Sequence, residues 1–283
     1  MPFLKSRIAP TPSGFLHAGN AFSFLLADTL THDHGGKLLL RIDDLDTERK
    51  RDEFVEDIFE SLRWLGITWD EGPADAADFE KNWSQKTRMT DYHALLGKLS
   101  GTGRVFACSC SRKQLALPSF RCECHLKNIP LQTENVSWRI HVPANCVVEF
   151  DDIYLGKCSV DLAEVMGPFV IRRRDGIPAY QVASLADDLH SGINFIVRGN
   201  DLLHSTAAQV YLASLAGEND FGKNLFLHHP LVEDDSGSKL SKSAGASSLR
   251  AMRMNGVPAE MVKTAFRKWR NGIQINLRKF EDR

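Results

Sequence analysis

The sequence predicts an α/β protein with a Rossmann-like parallel sheet, an inserted segment and a short helical C-terminal segment. Apolar runs of strand length alternate with helix-length amphipathic segments in residues 1–100 and again in 167–245. Residues 101–166 interrupt this alternation, because a Cys-rich, Pro-containing stretch begins there and β-like segments follow it. The end of the chain, 246–283, contains one amphipathic helical pattern. These observations define the predicted domain organisation.

The elements of the first half lead to a row of acidic residues. An apolar strand, a Pro- and Gly-containing turn and an apolar helix form the first unit, and a second strand follows the helix stop at Gly35-Gly36. The second strand delivers Asp43 and its acidic neighbours to its carboxyl end, where ligands bind in open parallel sheets. In chain order, the predicted elements are a strand over 4–8, a turn over 10–14, a helix from about residue 17, a strand over 37–42 and helices over 52–65 and 89–99.

The insertion and the second half carry the remaining predicted elements. Within the insertion, β-like segments are expected around 136–142 and 147–153. The second half resumes the α/β alternation, and its last strand leads into a loop rich in lysine and serine. The predicted elements there are strands over 169–173, 194–198 and 226–229 and helices over 180–189, 202–215 and, near the C-terminus, 258–269.

Composition sets bounds on the function. The 283 residues are 43% hydrophobic and 25% charged, and the formal net charge is −1. The chain therefore lacks an overall basic charge, and any RNA contact must come from local basic patches. Because the N-terminal residues show no apolar signal region and no apolar run reaches membrane-spanning length, the sequence predicts a cytoplasmic protein.

Two short motifs at opposite ends of the chain predict binding of a nucleoside triphosphate. The first is His-Ala-Gly-Asn at 17–20, at the start of a predicted helix whose N-terminus favours phosphate. The second is Lys-Leu-Ser-Lys-Ser at 239–243, where two lysines and two hydroxyls on a short loop can converge on a triphosphate. Either motif alone is weak evidence, but their order and separation strengthen the prediction.

Together these motifs resemble the two ATP-binding signatures of class I aminoacyl-tRNA synthetases, and residues 7–19 resemble the first motif of the glutamyl- and glutaminyl-tRNA synthetase group. The resemblance implies a class I synthetase fold and three catalytic residues, His17, Lys239 and Lys242. Asn20 stands where the family often has His, and its amide can still donate a hydrogen bond. The ATP site that the resemblance implies, with Mg²⁺ as the metal ion, comprises His17, Gly19, Asn20, Asp201, Leu202, Lys239 and Lys242.

Two further segments, the Arg-x-Asp-Asp run around Asp43 and the stretch from Tyr180 to Arg198, resemble the amino-acid pocket of the same group. The resemblance implies that Asp43 holds the substrate α-ammonium group, although glutamate-specific members usually carry Glu there and glutaminyl enzymes carry Asp. It also implies that Tyr180 lines the pocket and that Arg198, with Arg7, pairs with a side-chain carboxylate, which indicates an acidic amino acid. The full predicted glutamate site is Arg7, Ala9, Thr11, Asp43, Tyr180 and Arg198.

These residues also have plainer interpretations. The acidic run 43–46 could be a Mg²⁺ cluster or a solvated turn, since hard cations prefer oxygen ligands. Arg198 could anchor the paired acids Asp187 and Asp188, and Tyr180 could be an ordinary core residue. The length of the combined match favours the substrate site.

Four of the six cysteines lie close together in the insertion. In a cytosolic chain such crowding favours metal or thiol chemistry over disulfides, and two Cys-x-Cys pairs suit the tetrahedral coordination of zinc. The predicted zinc ligands are Cys108, Cys110, Cys122 and Cys124. Shorter relatives in the family carry Cys-x-Cys followed by Tyr-x-x-x-Cys, and here Phe120 replaces that Tyr. Cys122 and His125 are therefore competing candidates for the fourth ligand, and four free thiols remain the alternative.

The resemblance, combined with the short segment after the lysine loop, implies one branch of the glutamyl-tRNA synthetase-like family. That segment is too short for a separate anticodon-binding domain, which full-length glutamyl-tRNA synthetases have. The implied activity is ATP-dependent formation of glutamyl-adenylate and transfer of glutamate to queuosine at the wobble position of tRNA(Asp). Glutamate, ATP and queuosine-containing tRNA(Asp) are then the partners, with no membrane and no obligatory protein partner. The alternatives are a compact glutamyl- or glutaminyl-tRNA synthetase that charges the tRNA 3′ end, a small-molecule nucleotidyltransferase of the same superfamily and a silent RNA-binding paralogue.

Overall fold

The computed structural model describes residues 3–232 and 248–276, and each predicted strand and helix in these ranges forms close to its expected bounds. The strands are β1 (Lys5–Ile8), β2 (Lys37–Leu40), β3 (Val105–Cys108), β4 (Ser137–Ile140), β5 (Val147–Asp152), β6 (Gly156–Asp161), β7 (Phe169–Arg172), β8 (Phe195–Gly199) and β9 (Leu225–His229). The helices are α1 (Ala18–Asp33), α2 (Asp52–Trp64), α3 (Ala76–Asp78), α4 (Met89–Ser100), α5 (Arg112–Leu115), α6 (Leu162–Val165), α7 (Tyr180–His190), α8 (Leu203–Leu215), α9 (Leu249–Met254) and α10 (Ala259–Asn271). None of these described helices is long and apolar enough to cross a membrane.

The central sheet brings together strands from both halves of the chain. β1 pairs in parallel with β2, and β8 pairs in parallel with β9. The N–H of Asn194 donates to the carbonyl of Lys5 over 3.1 Å, so β1 lies beside β8. On the other side, β5 pairs in parallel with β9 at Asp152 and Phe226, and β6 returns antiparallel to β5. Residues at the carboxyl ends of β1, β2, β8 and β9 consequently meet at one edge of the sheet.

Apolar side chains cover both faces of this sheet, as expected for parallel strands. In β2, Leu38 and Leu40 pack into one core while Leu39 packs into the other, because successive strand residues point to opposite faces. In β9, Leu225 and Leu227 pack into the first core, with Leu38 and Leu40, whereas Phe226 packs into the second core, with Leu39. Helices α1, α2 and α10 contribute to the first core, and α4, α7 and α8 contribute to the second. The sheet is therefore a buried platform for the residues at its carboxyl edge.

The segment 101–166 contributes to two sheets. β3 and β4 form an antiparallel sheet with β7, so the strand predicted to resume the second half pairs with a strand of this segment. The hairpin of β5 and β6 joins the central sheet through β9. The division of the chain into domains at 101 and 166 stays a prediction.

The described chain resumes at Ser248, beside the first motif. Ser248, where the described chain resumes, forms a β-bridge with His17, and the N–H of Leu249 donates to the carbonyl of the residue before His17 over 2.7 Å. Arg253 of α9 donates to the buried carboxylate of Asp57 on α2 over 2.5 Å. These contacts tie Ser248, Leu249 and α9 to the chain that precedes α1 and to α2.

Candidate active site

One cavity of about 510 Å³ lies at the carboxyl edge of the central sheet. Its wall includes residues that end or follow β1, β2 and β8 and the first residues of α1 and α7. The predicted site residues on this wall are Arg7, Ala9, Thr11, His17, Gly19, Asn20, Asp43, Tyr180, Arg198, Asp201 and Leu202. Lys239 and Lys242 lie outside the described residues. The structure thus brings the described part of the predicted site together, and the role of each residue stays a prediction.

His17 caps α1 and so positions the first motif. Its Nδ1 accepts a hydrogen bond from the N–H of Gly19 over 3.1 Å, and its own N–H donates to Oδ1 of Asn20 over 3.1 Å. Reciprocal bonds of this kind stabilise a helix start. The first turn of α1 holds no acidic residue, so the helix dipole leaves positive potential at the cavity wall. Asn20 therefore has a structural role that the sequence pattern did not indicate.

Arg198 lies on the cavity wall with 4% of its surface exposed. Its Nη1 donates to Thr206 Oγ1 over 3.1 Å and to Gln209 Oε1 over 2.9 Å. Its Nε and Nη2 are buried and have no hydrogen-bond partner among the described residues. Burial and the nearby charge of Arg7 lower the pKa of Arg198, against the opposing effect of Tyr180. A buried guanidinium edge without acceptors is suited to bind a carboxylate.

Asp188, a fully buried carboxylate on α7, joins two other arginines of the site. Its Oδ1 accepts from Arg7 Nε over 3.0 Å and from Arg41 Nη1 over 2.7 Å. Burial opposes its ionisation, but the charges of the arginines outweigh burial and hold the pKa of Asp188 below its usual range. Nη2 of Arg198 is 3.9 Å from Oδ2 of Asp188 and makes no hydrogen bond to it. Arg7 and Arg41 therefore anchor this acid by hydrogen bonds, and Arg198 adds a longer ion pair.

Asp43 lines the cavity in a two-point ion pair with Arg41. Nε and Nη2 of Arg41 donate to its two oxygens over 2.7 and 3.1 Å. Burial raises the pKa of Asp43, and Arg41 offsets only part of that rise. Each carboxylate oxygen has a second lone pair, so the group can also accept from an ammonium ion. Asp44 is buried and paired with Lys50, so 43–46 is not a solvated turn. Within the described ranges these acids also form no metal-binding group.

Tyr180, the first residue of α7, lines the cavity with 46% of its surface exposed. It is therefore a wall residue and not an ordinary core residue. The other end of α7 is anchored through Asp187, which accepts from Arg88 Nε over 2.6 Å and from the Tyr92 hydroxyl over 2.8 Å. These contacts to the start of α4 fix the helix that carries Tyr180 and Asp188.

The four cysteines of the 101–166 segment form one cluster. Their sulfurs all lie within 4.8 Å of one another, with 3.6 Å between Cys108 and Cys122 and 3.5 Å between Cys110 and Cys124. A tetrahedral site with Zn–S bonds of about 2.3 Å places its sulfurs about 3.8 Å apart, so the arrangement fits zinc. The remaining candidate ligand, His125, is exposed and lies outside the cluster. The geometry therefore favours four cysteine ligands.

Neighbouring groups prepare this cluster for a metal ion. Nη2 of Arg174 donates to the carbonyls of Ser109 and Cys110 over 2.6 and 2.8 Å, which braces the first Cys-x-Cys pair. Burial opposes ionisation of Cys124, but the Ser109 N–H and the Cys110 thiol outweigh it and lower the pKa of Cys124 to about 7. The pKa values of Cys108 and Cys110 are instead raised, chiefly by burial, so the lowered pKa belongs to Cys124 and not to the cluster as a whole.

Several residues that support the site were not predicted from the sequence. They are Arg41, Asp188, Thr206, Gln209, His228 and Asp152. The sequence held partial signals for these residues. Asp187 and Asp188 are adjacent near the end of α7, and two adjacent acids on a buried helix are expected to have buried partners. The spacing of Thr206 and Gln209 also places both on one face of α8. Only the fold shows that this face meets Arg198.

Comparisons with known proteins identify relatives of the chain. The family model described as "tRNA synthetases class I (E and Q), catalytic domain" matches residues 4–119 and 121–276. The Glutamyl-Q tRNA(Asp) synthetase of Nitratidesulfovibrio vulgaris is 37% identical over 275 residues, which cover 90% of this chain and 83% of that protein. Glutamate–tRNA ligase 2 of Gluconacetobacter diazotrophicus is 33% identical over 271 residues, which cover 90% of this chain and 58% of that protein. A solved glutamate tRNA ligase from Elizabethkingia meningosepticum, in complex with its amino acid, has a TM-score of 0.70 and 27% identity, and the match covers 86% of this chain and 52% of that one.

The Asp188 contacts lead to a stability prediction. Asp188→Asn leaves Arg7 and Arg41 buried without this counter-charge, so we expect the free energy of unfolding to fall by about 3–5 kcal/mol at pH 7. Because folding lowers the pKa of Asp188, its contribution is present above the unfolded value of about 3.9 and is lost as the pH falls through the folded value. Urea unfolding curves from neutral to acidic pH measure both effects.

The matched control is Asp220→Asn. The ion pair of Asp220 with Lys223 is fully exposed, so its loss should leave the unfolding free energy almost unchanged. Equal losses in the two variants, or a loss in Asp188→Asn that does not shrink in acid, would contradict the role given to Asp188.

Proposed function

The chain belongs to the family of class I tRNA synthetases specific for glutamate and glutamine, and on this premise we propose that it activates glutamate with ATP and transfers it to queuosine at the wobble position of tRNA(Asp). The proposal depends chiefly on one observation at Arg198. This residue lines the cavity, and its buried Nε and Nη2 have no acceptor among the described residues. Similarity to the Glutamyl-Q tRNA(Asp) synthetase of Nitratidesulfovibrio vulgaris supports the choice of RNA.

The hydrogen-bond donors of Arg198 favour glutamate as the amino acid. The arginines on the cavity wall and directly behind it, Arg7, Arg41, Arg88 and Arg198, are matched in number by Asp43, Asp187, Asp188 and Asp201, so the choice does not depend on net charge. A side-chain carboxylate would accept two parallel hydrogen bonds from Nε and Nη2 of Arg198. A glutamine side chain would oppose one of those donors with its own NH2 group. Asp43 is the proposed acceptor for the α-ammonium group.

In the proposed first step, the α-carboxylate of glutamate attacks the α-phosphorus of ATP. The bond from that phosphorus to the bridging oxygen breaks, and pyrophosphate leaves with the electron pair. His17, Lys239 and Lys242 are proposed to stabilise the phosphate charge, and bound Mg²⁺ would neutralise part of it. Gly19, Asn20, Asp201 and Leu202 are proposed to contact the nucleotide. The acceleration then depends on placing the reactants and on donors that are fixed before the reaction.

In the proposed second step, a hydroxyl of queuosine attacks the carbonyl carbon of glutamyl-adenylate. An ester bond forms, the mixed anhydride bond breaks and AMP leaves. The hydroxyl proton passes to solvent or to the departing phosphate. This step requires that the anticodon loop reach the cavity, so the RNA would approach the carboxyl edge of the sheet.

A second candidate function is the charging of the tRNA 3′ end with glutamate. The similarity to glutamate–tRNA ligase 2 of Gluconacetobacter diazotrophicus favours it. The two functions share the activation step and differ in the RNA hydroxyl that accepts glutamate. An RNA transfer assay therefore separates them.

Zinc is the proposed metal of the cysteine cluster. Four thiolates would close its coordination shell, so its role would be to hold the 101–166 segment together. The proposal also includes a cytoplasmic location and retains the four-part domain division of the chain.

Pyrophosphate exchange followed by RNA transfer tests the activity. We expect glutamate, and not glutamine or aspartate, to support ATP–pyrophosphate exchange without RNA. We expect labelled glutamate to reach tRNA(Asp) from queuosine-containing cells and not from queuosine-lacking cells. Acylation of unmodified tRNA would support the 3′-end ligase instead, and no glutamate-dependent exchange would overturn both functions.

Two variants test the roles of Arg198 and Lys242 in the same assay. In Arg198→Ala, we expect kcat/KM for glutamate to fall by about 100-fold or more with ATP binding retained, because two charge-assisted hydrogen bonds are lost. In Lys242→Ala, we expect adenylate formation to slow far more than glutamate binding weakens. An unchanged activation rate in Arg198→Ala would show that its substrate role is wrong.

Metal analysis of the purified protein tests the zinc proposal. We expect about one zinc ion per chain, and a large loss in Cys122→Ser because three thiolates leave the coordination shell open. His125→Ala is the matched control and should retain the metal, since His125 lies outside the cluster. Loss of zinc in His125→Ala with retention in Cys122→Ser would reverse the assignment of the fourth ligand.

A further inference from the structure

A buried row of polar side chains leads from the interior to Arg198. Nδ1 of His228 lies 2.7 Å from Oδ2 of Asp152, and Nε2 of His228 lies 2.8 Å from Oγ1 of Thr206. Oγ1 of Thr206 in turn accepts from Nη1 of Arg198 over 3.1 Å. Asp152, His228 and Thr206 are all at most 1% exposed, and none of them lines the cavity. The activation step as proposed does not use these groups.

The hydrogen bonds in this row have a direction. Oxygens of Asp152 accept from the backbone N–H groups of Tyr154, Leu155 and His228 over 2.7 to 2.9 Å, which identifies the carboxylate as an acceptor. Nδ1 of His228 is therefore the donor to Asp152. Burial lowers the pKa of His228 and outweighs the effect of Asp152, which favours the neutral ring, whose Nε2 is an acceptor. Nε2 is the nearer acceptor for the Thr206 hydroxyl, at 2.8 Å against 3.4 Å for the Leu202 carbonyl, and the Thr206 oxygen accepts from Arg198.

A second acceptor bonds the remaining hydrogen of Nη1 in Arg198. Oε1 of Gln209, which is three positions after Thr206 on α8, accepts from the same nitrogen over 2.9 Å. The two hydrogens of Nη1 thus meet two acceptors. The nitrogens without acceptors, Nε and Nη2, form the other edge of the planar guanidinium, and that edge matches the two oxygens of a carboxylate.

We propose that Asp152, His228, Thr206 and Gln209 are positioning residues that fix the rotation of Arg198 and so determine the preference for glutamate over glutamine. This inference rests on the proposed function. A guanidinium held by Nη1 presents two parallel donors, which a carboxylate satisfies and an amide does not. A guanidinium free to turn could offer a single donor to the amide oxygen of glutamine. Because the acceptors on Nη1 are uncharged, they hold Arg198 without neutralising it.

The row also gives the 101–166 segment a part in substrate selection. Asp152 is the last residue of β5, and it reaches His228 because β5 pairs with β9 at this position. Residues that were predicted to belong to an insertion therefore support the amino-acid site through the central sheet.

Thr206→Val and Thr206→Ser form the test pair in the full-length protein. Valine is nearly isosteric but removes the hydroxyl, whereas serine retains it. In ATP–pyrophosphate exchange we expect Thr206→Val to raise the KM for glutamate about tenfold or more, with the KM for ATP almost unchanged. The ratio of kcat/KM for glutamate to that for glutamine should fall by a similar factor. Thr206→Ser should restore most of both.

Gln209→Met is the second variant, in case Thr206→Val folds poorly. Nε2 of Gln209 has no partner among the described residues, so the substitution removes little besides the acceptor for Arg198.

Unfolding curves for each variant separate loss of fold from loss of positioning, because a purely structural row would lower stability without changing the glutamate-to-glutamine ratio. An unchanged ratio in folded Thr206→Val and Gln209→Met, with an active parent protein, would overturn this inference alone. Absence of glutamate activation in the parent protein would overturn the proposed function and this inference with it.

Discussion

The buried carboxylate of Asp188 is the interaction on which the rest of the site depends. It lies on α7 and accepts from Arg7 of β1 and from Arg41, which follows β2, so one side chain joins three elements at the edge of the sheet. Burying these charges is costly, and the cost is offset only while the partners remain in contact. The network therefore makes the carboxyl edge rigid. It also explains how paired acids can lie beside the site that is proposed to bind a carboxylate, since arginines surround them.

The same constraint accounts for the state of Arg198. Arg7 and Arg41 hydrogen-bond to Oδ1 of Asp188, whereas Arg198 hydrogen-bonds to the neutral acceptors Thr206 and Gln209 and has its Nη2 3.9 Å from Oδ2 of Asp188. Nε and Nη2 of Arg198 therefore have no hydrogen-bond acceptor among the described residues. Asp43, in contrast, has a charged partner, because Arg41 donates to both of its oxygens. Each oxygen keeps a lone pair that can accept from an ammonium group. These two features are the ones that the proposed function requires for the side-chain carboxylate and the α-ammonium group of glutamate.

Much of the fold could be predicted because apolar periodicity indicates which faces of an element are buried. The class I synthetase fold that the motifs implied is confirmed by the family match and by the solved relative. Pairing between distant segments could not be predicted. The strand predicted over 169–173 pairs with β4 of the preceding segment. His228 meets Asp152, 76 positions away, only because β5 pairs with β9. Similarly, spacing left the fourth cysteine-cluster ligand open, since the course of the loop, and not the distance along the chain, brings Cys122 into the cluster.

The most direct test of the account is a crystal structure of the protein with glutamate bound. We expect the side-chain carboxylate to accept from both Nε and Nη2 of Arg198, at about 2.7–2.9 Å, with Nη1 still on Thr206 and Gln209. We also expect the α-ammonium group to lie within hydrogen-bonding distance of Asp43. Glutamate bound with its side-chain carboxylate away from Arg198, or with Nη1 turned from Thr206 to meet it, would contradict the central claim.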